Sequence, residues 1–213
     1  MKVLLTAFDP FGGEAINPAL EAVQKVRSSL GSIEVVKLEV PTVFGKSIER
    51  VREVIEEIHP DVVLCIGQAG GRFDITVERV AINLDDARIA DNEGNKPIDK
   101  RIAEDGQPAY FATLPIKAMV DAIRKAGIPS SISNTAGTFV CNHLMYGVLH
   151  ILSGMQYPVR GGFLHVPFIP SQVVAKPNAP SMSLSDIVTA LEAGIIAIGE
   201  HDSDVKISGG KEF

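Results

Sequence analysis

The sequence predicts one α/β domain: a largely parallel sheet with helices on both faces. Three observations lead there. Short apolar runs alternate with segments of helical spacing along the chain. One run, V-V-L-C-I at 62–66, is apolar at every position, as in a strand covered on both sides. Neither an internal repeat nor a linker divides the 213 residues, so a single domain over 1–213 is expected.

The elements follow in order. Residues 2–7 read as a buried strand. Asn17-Pro18 opens a helical pattern with Leu20, Val23, Val26 and Leu30 inward, closed by Gly31. A second strand covers 33–40, and a second helix 47–58, with Ile48, Val51, Ile55 and Ile58 at helical spacing ahead of Pro60. The continuous run at 62–66 is the central strand, and 75–83 alternates strongly enough to be another. The polar stretch 85–108 carries several turn signals. It is long for a compact domain, and reads as an excursion, with room for a hairpin, that covers a site or meets a partner subunit. A helix at 115–126 has Pro115 in its first turn and Gly127 at its end. A short strand at 130–133, a helix at 142–153 and a strand at 162–166 come next. The last helix, 183–201, has Ser183 and Asp186 as a capping pair.

Composition narrows the function. The net charge of −6 speaks against a general nucleic-acid surface. The first residues lack a signal-peptide pattern, and no run approaches the ~20 apolar residues of a membrane span. Two cysteines give no disulfide framework, so a cytoplasmic protein with reduced thiols and no membrane partner is expected.

In α/β sheets of this kind ligands sit beyond the carboxyl ends of the strands, so chemistry is sought there. Cys65, within the central strand, is a core residue. Cys141, in T-A-G-T-F-V-C-N-H at 135–143, stands where a helix begins. Free cysteine is often only a small core side chain. At a helix N-terminus, however, the dipole and the unpaired N–H groups favour thiolate, and can stabilise an oxyanion. A nucleophilic thiol needs a base. Among the five histidines, His59 caps a helix before Pro60, His201 is near a solvated tail, His143 is too close in sequence to face Cys141, and His150 is a packing residue. His165 ends a strand in G-G-F-L-H-V-P-F-I-P and could reach the sheet's carboxyl edge, although a satisfied core histidine is equally open. Glu78, a carboxylate inside apolar I-T-V-E-R-V-A-I-N, suits an orienting role. The competing reading is an ion pair with Arg79 or with another strand; adjacent Arg79 points to the wrong face.

Two glycine-rich stretches remain. G-Q-A-G-G-R at 67–72 follows a strand, but it lacks G-x-G-x-x-G and no clear helix follows it, which argues against a dinucleotide loop. F-D-P-F-G-G at 8–13 sets Phe8 and Phe11 around a turn, either as anchors of the loop or as a slot for a flat uncharged group.

Taken together, F-D-P-F-G-G, G-Q-A-G-G-R with I-T-V-E-R-V-A-I-N, T-A-G-T-F-V-C-N-H and H-V-P-F-I-P, in this order across the chain, resemble the pyroglutamyl peptidase I family of cysteine peptidases. The resemblance implies a three-layer α/β/α fold with a mixed central sheet, similar to purine nucleoside phosphorylases. It implies a catalytic triad of Glu78, Cys141 and His165, which agrees with the choices made from position. Also implied are a substrate pocket with Phe8 and Phe11, Gln68 near a lactam, and Arg88 near the oxyanion. Pyroglutamyl peptides as substrate, a homotetramer in the cytoplasm, and no cofactor or metal complete what it implies. A phosphate-dependent nucleoside transferase and a non-enzymatic ligand-binding domain are the competing readings.

Overall fold

The computed structural model describes residues 1–210; positions 211–213 of the expected domain lie outside the described residues. In chain order the elements are β1 (Lys2–Phe8), α1 (Pro18–Lys25), β2 (Ser29–Leu30), β3 (Ile33–Val40), α2 (Lys46–Ile58), β4 (Val62–Gln68), β5 (Ile75–Glu78), β6 (Val80–Ile82), β7 (Ala109–Phe111), α3 (Ile116–Lys125), β8 (Ser130–Ser133), α4 (Val140–Ser153), β9 (Arg160–Val166), α5 (Pro170–Val173) and α6 (Leu184–Glu200).

Seven strands form one sheet in the order β2-β3-β1-β4-β9-β5-β8. Its centre, β3-β1-β4-β9, is parallel throughout. β5 runs against β9, with Thr76 opposite His165 and Glu78 opposite Phe163, and β8 runs with β5. Side chains alternate between the two faces, as the period of a strand requires. Val3, Leu5, Val62, Leu64 and Ile66 join one apolar cluster, with Ala19 and Val23 of α1, Met119 and Ile123 of α3, and Leu191 and Ile195 of α6. Leu4, Phe8, Val63, Cys65 and Phe163 join the other, with Val51 and Ile55 of α2 and Leu144 and Val148 of α4. The sheet is therefore covered on both faces, as the all-apolar run at 62–66 predicts.

Three sequence expectations are corrected. The first helix ends at Lys25, because Val26 already has extended backbone (φ −54°, ψ 138°). Leu30 belongs to β2 and pairs with Ile33 across a turn at Gly31 (φ +63°). Its spacing also fits a helical face, but pairing at the sheet edge buries it just as well. The alternating run 75–83 is two strands in two sheets. Arg79 is the joint between them: its N–H donates to Ser133 O (2.8 Å) in one sheet, and its carbonyl accepts from Ala112 N (2.9 Å) beside the other. β5 is buried at all four positions, whereas in β6 only Ala81 is fully buried. Finally, α4 begins at Val140 rather than at 142, so Cys141 is its second residue.

The 85–108 excursion holds no strand. Asp85 and Lys100 exchange both backbone hydrogen bonds and close its base (2.7 and 3.0 Å). The buried Asp91 carboxylate accepts from the backbone N–H groups of Phe44, Glu93 and Asn95 (3.0, 2.9 and 2.8 Å) and ties the loop to the start of α2. The segment is thus bound to its own chain along α2 and α4.

Candidate active site

The site lies at the carboxyl end of the parallel strands, on the face covered by α4. Strand register brings its parts together. His165 pairs with Gly67 of β4 on one side and with Thr76 of β5 on the other. A Cβ built on Gly67 would lie 3.0 Å from the Cys141 sulfur and 2.7 Å from the Phe163 ring, so the missing side chain is what admits the sulfur beside His165's strand partner. Glu78 sits diagonally below His165, and its Oε1 is 2.7 Å from His165 Nδ1. With Nδ1–H donating to that carboxylate, Nε2 is left unprotonated and able to accept. Glu78 is fully buried and His165 is 3% exposed.

Electrostatics follow from this burial. Burial works against charge on Glu78, but the hydrogen bond and charge of His165, with the Arg72 cation, outweigh it and hold the carboxyl below its usual range. Burial lowers His165 more than Glu78 raises it, so the imidazole is neutral near pH 7. Burial and then the Glu78 charge push the Cys141 thiol up to about 12, against the opposing pull of Arg72. Cys141 as a residue is half-buried. Loss of hydration and a neighbouring carboxylate thus oppose the helix dipole that favours thiolate. Cys65 is wholly buried, its thiol also pushed up to about 12 by burial, as a core residue should be.

The partner of Glu78 that sequence reasoning missed is Arg72. Its Nη1 donates to Glu78 Oε1 (2.6 Å) and to Thr76 Oγ1, and its Nη2 to the Thr135 carbonyl (3.0 Å). A cation in the loop that enters the glutamate's strand was the available signal. Asn142 and His143 hold the α4 start in place. Asn142 bonds the backbone at Ile82 and Leu84, while His143 contacts Asp85 Oδ2 (2.8 Å) and accepts from Gly45 N (2.8 Å).

The other expected site residues are more dispersed. Phe8 is 1% exposed and lies in the core beneath the site, not in an open slot. Phe11 is half-buried at the rim, 6.3 Å from the Phe139 ring, which in turn meets Phe44 edge-on at 5.4 Å. Gln68, at the end of β4, accepts from Gln172 Nε2 (3.1 Å). Arg88 is exposed, and makes no hydrogen bond or ion pair among the described residues. Its loop is joined to the one before Cys141 by Asp86 N to Thr138 O (3.0 Å) and Thr138 Oγ1 to Asp86 O (2.7 Å).

Residues 1–201 match the family model described as pyroglutamyl peptidase. A pyrrolidone-carboxylate peptidase of Clostridium perfringens is 63% identical over 210 residues, covering 99% of each chain, and one from Finegoldia magna is 58% identical over 212 residues, again 99% of each. Among solved structures, pyroglutamyl peptidase I from Bacillus amyloliquefaciens superposes with a TM-score of 0.94 at 50% identity, covering 97% of this chain and 99% of that one. Pyrrolidone carboxyl peptidase from Thermococcus litoralis gives 0.93 at 38% identity, covering 97% and 99%. By fold and likeness the chain is a peptidase of the cysteine class. It belongs to the pyroglutamyl peptidase family.

Proposed function

We propose that this chain hydrolyses the amide bond that follows an N-terminal pyroglutamyl residue, through a thioester on Cys141. The observation that carries the reading is the 2.7 Å contact of His165 with buried Glu78, on the strand position whose partner, Gly67, abuts the Cys141 sulfur. At rest the thiol and the imidazole are both neutral. His165 Nε2 takes the thiol proton as the sulfur attacks the scissile carbonyl carbon. The first N–H groups of α4, which have no partner within the helix, face the oxyanion, with Arg88 brought up on its loop. As the C–N bond breaks, His165 returns the proton to the leaving amine. Water, deprotonated by His165, then releases pyroglutamate and restores the thiol. Glu78 stays ionised and balances the imidazolium in between.

Pyroglutamate is a flat lactam without the ammonium that an ordinary aminopeptidase grips. The rings of Phe11 and Phe139 at the rim suit its faces, and Gln68 its polar edge. The working form is a homotetramer in the cytoplasm that needs neither cofactor nor metal; the family resemblance supports this reading. No helix among the described residues is long and apolar enough to cross a membrane.

The test is release of a fluorophore from a pyroglutamyl amide under reducing conditions, beside prolyl and alanyl amides, with and without iodoacetamide. Release from the pyroglutamyl amide alone, abolished by alkylation, is the expected result. Turnover that survives alkylation would overturn the thiol mechanism.

A further inference from the structure

The buried carboxylate that faces His165 has a second donor, and the Cys–His–Glu scheme leaves it without a task. Arg72 stands in the loop between β4 and β5, after Gly71 (φ +96°) turns the chain. Its side chain is 27% exposed, whereas that of Glu78 is fully buried. Nη1 of Arg72 and Nδ1 of His165 meet the same oxygen, Glu78 Oε1, at 2.6 and 2.7 Å. The other oxygen, Oε2, is buried with no hydrogen-bond partner. Nη2 of the same guanidinium holds the Thr135 carbonyl in the loop that leads to Cys141. One planar fork therefore spans the orienting acid and the approach to the sulfur, which an ammonium could not do at both places.

We propose that Arg72 is a positioning residue for the proposed chemistry: by sharing Glu78 Oε1 with His165 and clamping the Thr135 carbonyl, it keeps the imidazole an uncharged base aimed at Cys141. A fully buried carboxylate with no cation beside it draws a proton into its surroundings, either onto itself or onto its neighbour. His165 is that neighbour, and as an imidazolium it could not take the thiol proton. A permanent guanidinium on the same oxygen satisfies the carboxylate without a titratable proton. The titratable and charged groups that face His165 are Glu78 from β5, Arg72 from the β4–β5 loop and Cys141 from α4, with Cys65 of β4 behind the sulfur. The Arg72 charge acts on all three partners in the required direction: it lowers Glu78, His165 and Cys141 alike.

The inference rests on the thiol peptidase reading, so its experiment has one arm that needs no substrate. The imidazole of His165 is titrated by NMR in the unmodified chain, Arg72→Met and Arg72→Lys, with the signal identified by its loss in His165→Asn. In Arg72→Met the midpoint should rise by about one pH unit or more. The acid limb of kcat/KM for the pyroglutamyl amide should rise with it, and kcat should fall about 100-fold at neutral pH. Arg72→Lys, which keeps the charge and loses the fork, should leave the midpoint near its original value while lowering kcat. Should Arg72→Met not fold, Arg72→Gln carries the same comparison. An unchanged His165 midpoint in the uncharged variant, whatever its activity, overturns the proposal. Absence of pyroglutamyl amidase activity in the unmodified chain would instead overturn the functional reading, and the titration would still decide the role of Arg72.

Discussion

Asn142 pairs with Ile82 as a strand would. Ile82 N–H donates to Asn142 Oδ1 at 3.0 Å, and Asn142 Nδ2 donates back to Ile82 O at 2.9 Å, with a further bond to Leu84 O at 3.0 Å. A side chain in the first turn of α4 thus closes the free edge of β6, and its neighbour Cys141 is fixed in the same stroke. Asn142→Ala removes all three bonds from a buried place. It should cost about 3 kcal/mol, read from the urea midpoint, because backbone groups lose their partners away from water. Asn142→Asp should cost a similar amount, since a carboxylate cannot donate to the two carbonyls.

The two thiols should behave oppositely. Cys65 is wholly buried, and Cys141 is partly open. One equivalent of iodoacetamide should enter the native protein, at Cys141 on peptide mapping, and a second only after unfolding. Cys141→Ser should keep the fold and lose nearly all activity, while Cys65→Ser should keep both. Labelling of Cys65 in the native state, or substantial turnover by Cys141→Ser, would contradict the assignment.

Acid should weaken the protein and its chemistry together. His165 titrates lower in the folded chain than its ordinary value near 6.5, so stability present above about 6.5 is lost as pH falls toward the folded value. Glu78 is also depressed, so its contribution, present above the unfolded carboxylate range near 4.3, is lost as pH falls through its own folded value. The urea midpoint should therefore decline steadily below about pH 6.5, and the acid limb of kcat/KM should lie below that same pH. An acid limb above pH 7 would show that His165 is held charged.

Gly67→Ala tests the seat of the sulfur. The new methyl would meet a ring that cannot move aside, since Phe163 is wholly buried. A loss of about 1–3 kcal/mol is expected from overpacking, with a larger fall in kcat than in substrate affinity because Cys141 must shift. Unchanged kcat would mean that the sulfur has room to spare.

Phe8 and Phe11 should separate by assay. Phe8→Ala empties a core position and should cost about 3–5 kcal/mol of stability. Phe11→Ala, at the rim, should leave the urea midpoint close to its original value and raise KM for pyroglutamyl substrates. Equal effects of the two on KM, with neither changing stability, would restore the reading of both as walls of the slot.

The residues proposed for the site were legible where one side chain broke a pattern. Glu78 interrupts an apolar alternation, Cys141 opens a helix, and His165 closes a strand; each departs from what its element needs for packing alone. Arg72 was hidden because a cation in a glycine-rich loop breaks no pattern. The layers were legible as well, from the all-apolar run at 62–66. Strand direction was not: the period of two is the same whichever way a strand runs, and nothing in I-T-V-E says that it opposes its neighbour. The end of α1 was obscured because Leu30 fits both a helical face and a sheet edge. The upward shift of the Cys141 thiol comes first from its own burial and then from the Glu78 charge, and both belong to the assembled sheet.

The reversed strand has one further effect. A strand running with its neighbours would deliver its last residue to the rim, in contact with water and with whatever enters. β5 runs the other way, so its acidic end points inward and its beginning faces outward. The parts proposed to meet a substrate and the glutamate proposed to govern them are therefore on different levels, linked through Arg72 of the β4–β5 loop. The vulnerability lies in alignment. A slip of β5 by one position would turn Glu78 to the opposite face and offer His165 a valine or an arginine in its place. Heat or a substitution that loosens the outer strand β8 should thus silence the enzyme while most of the chain is still folded.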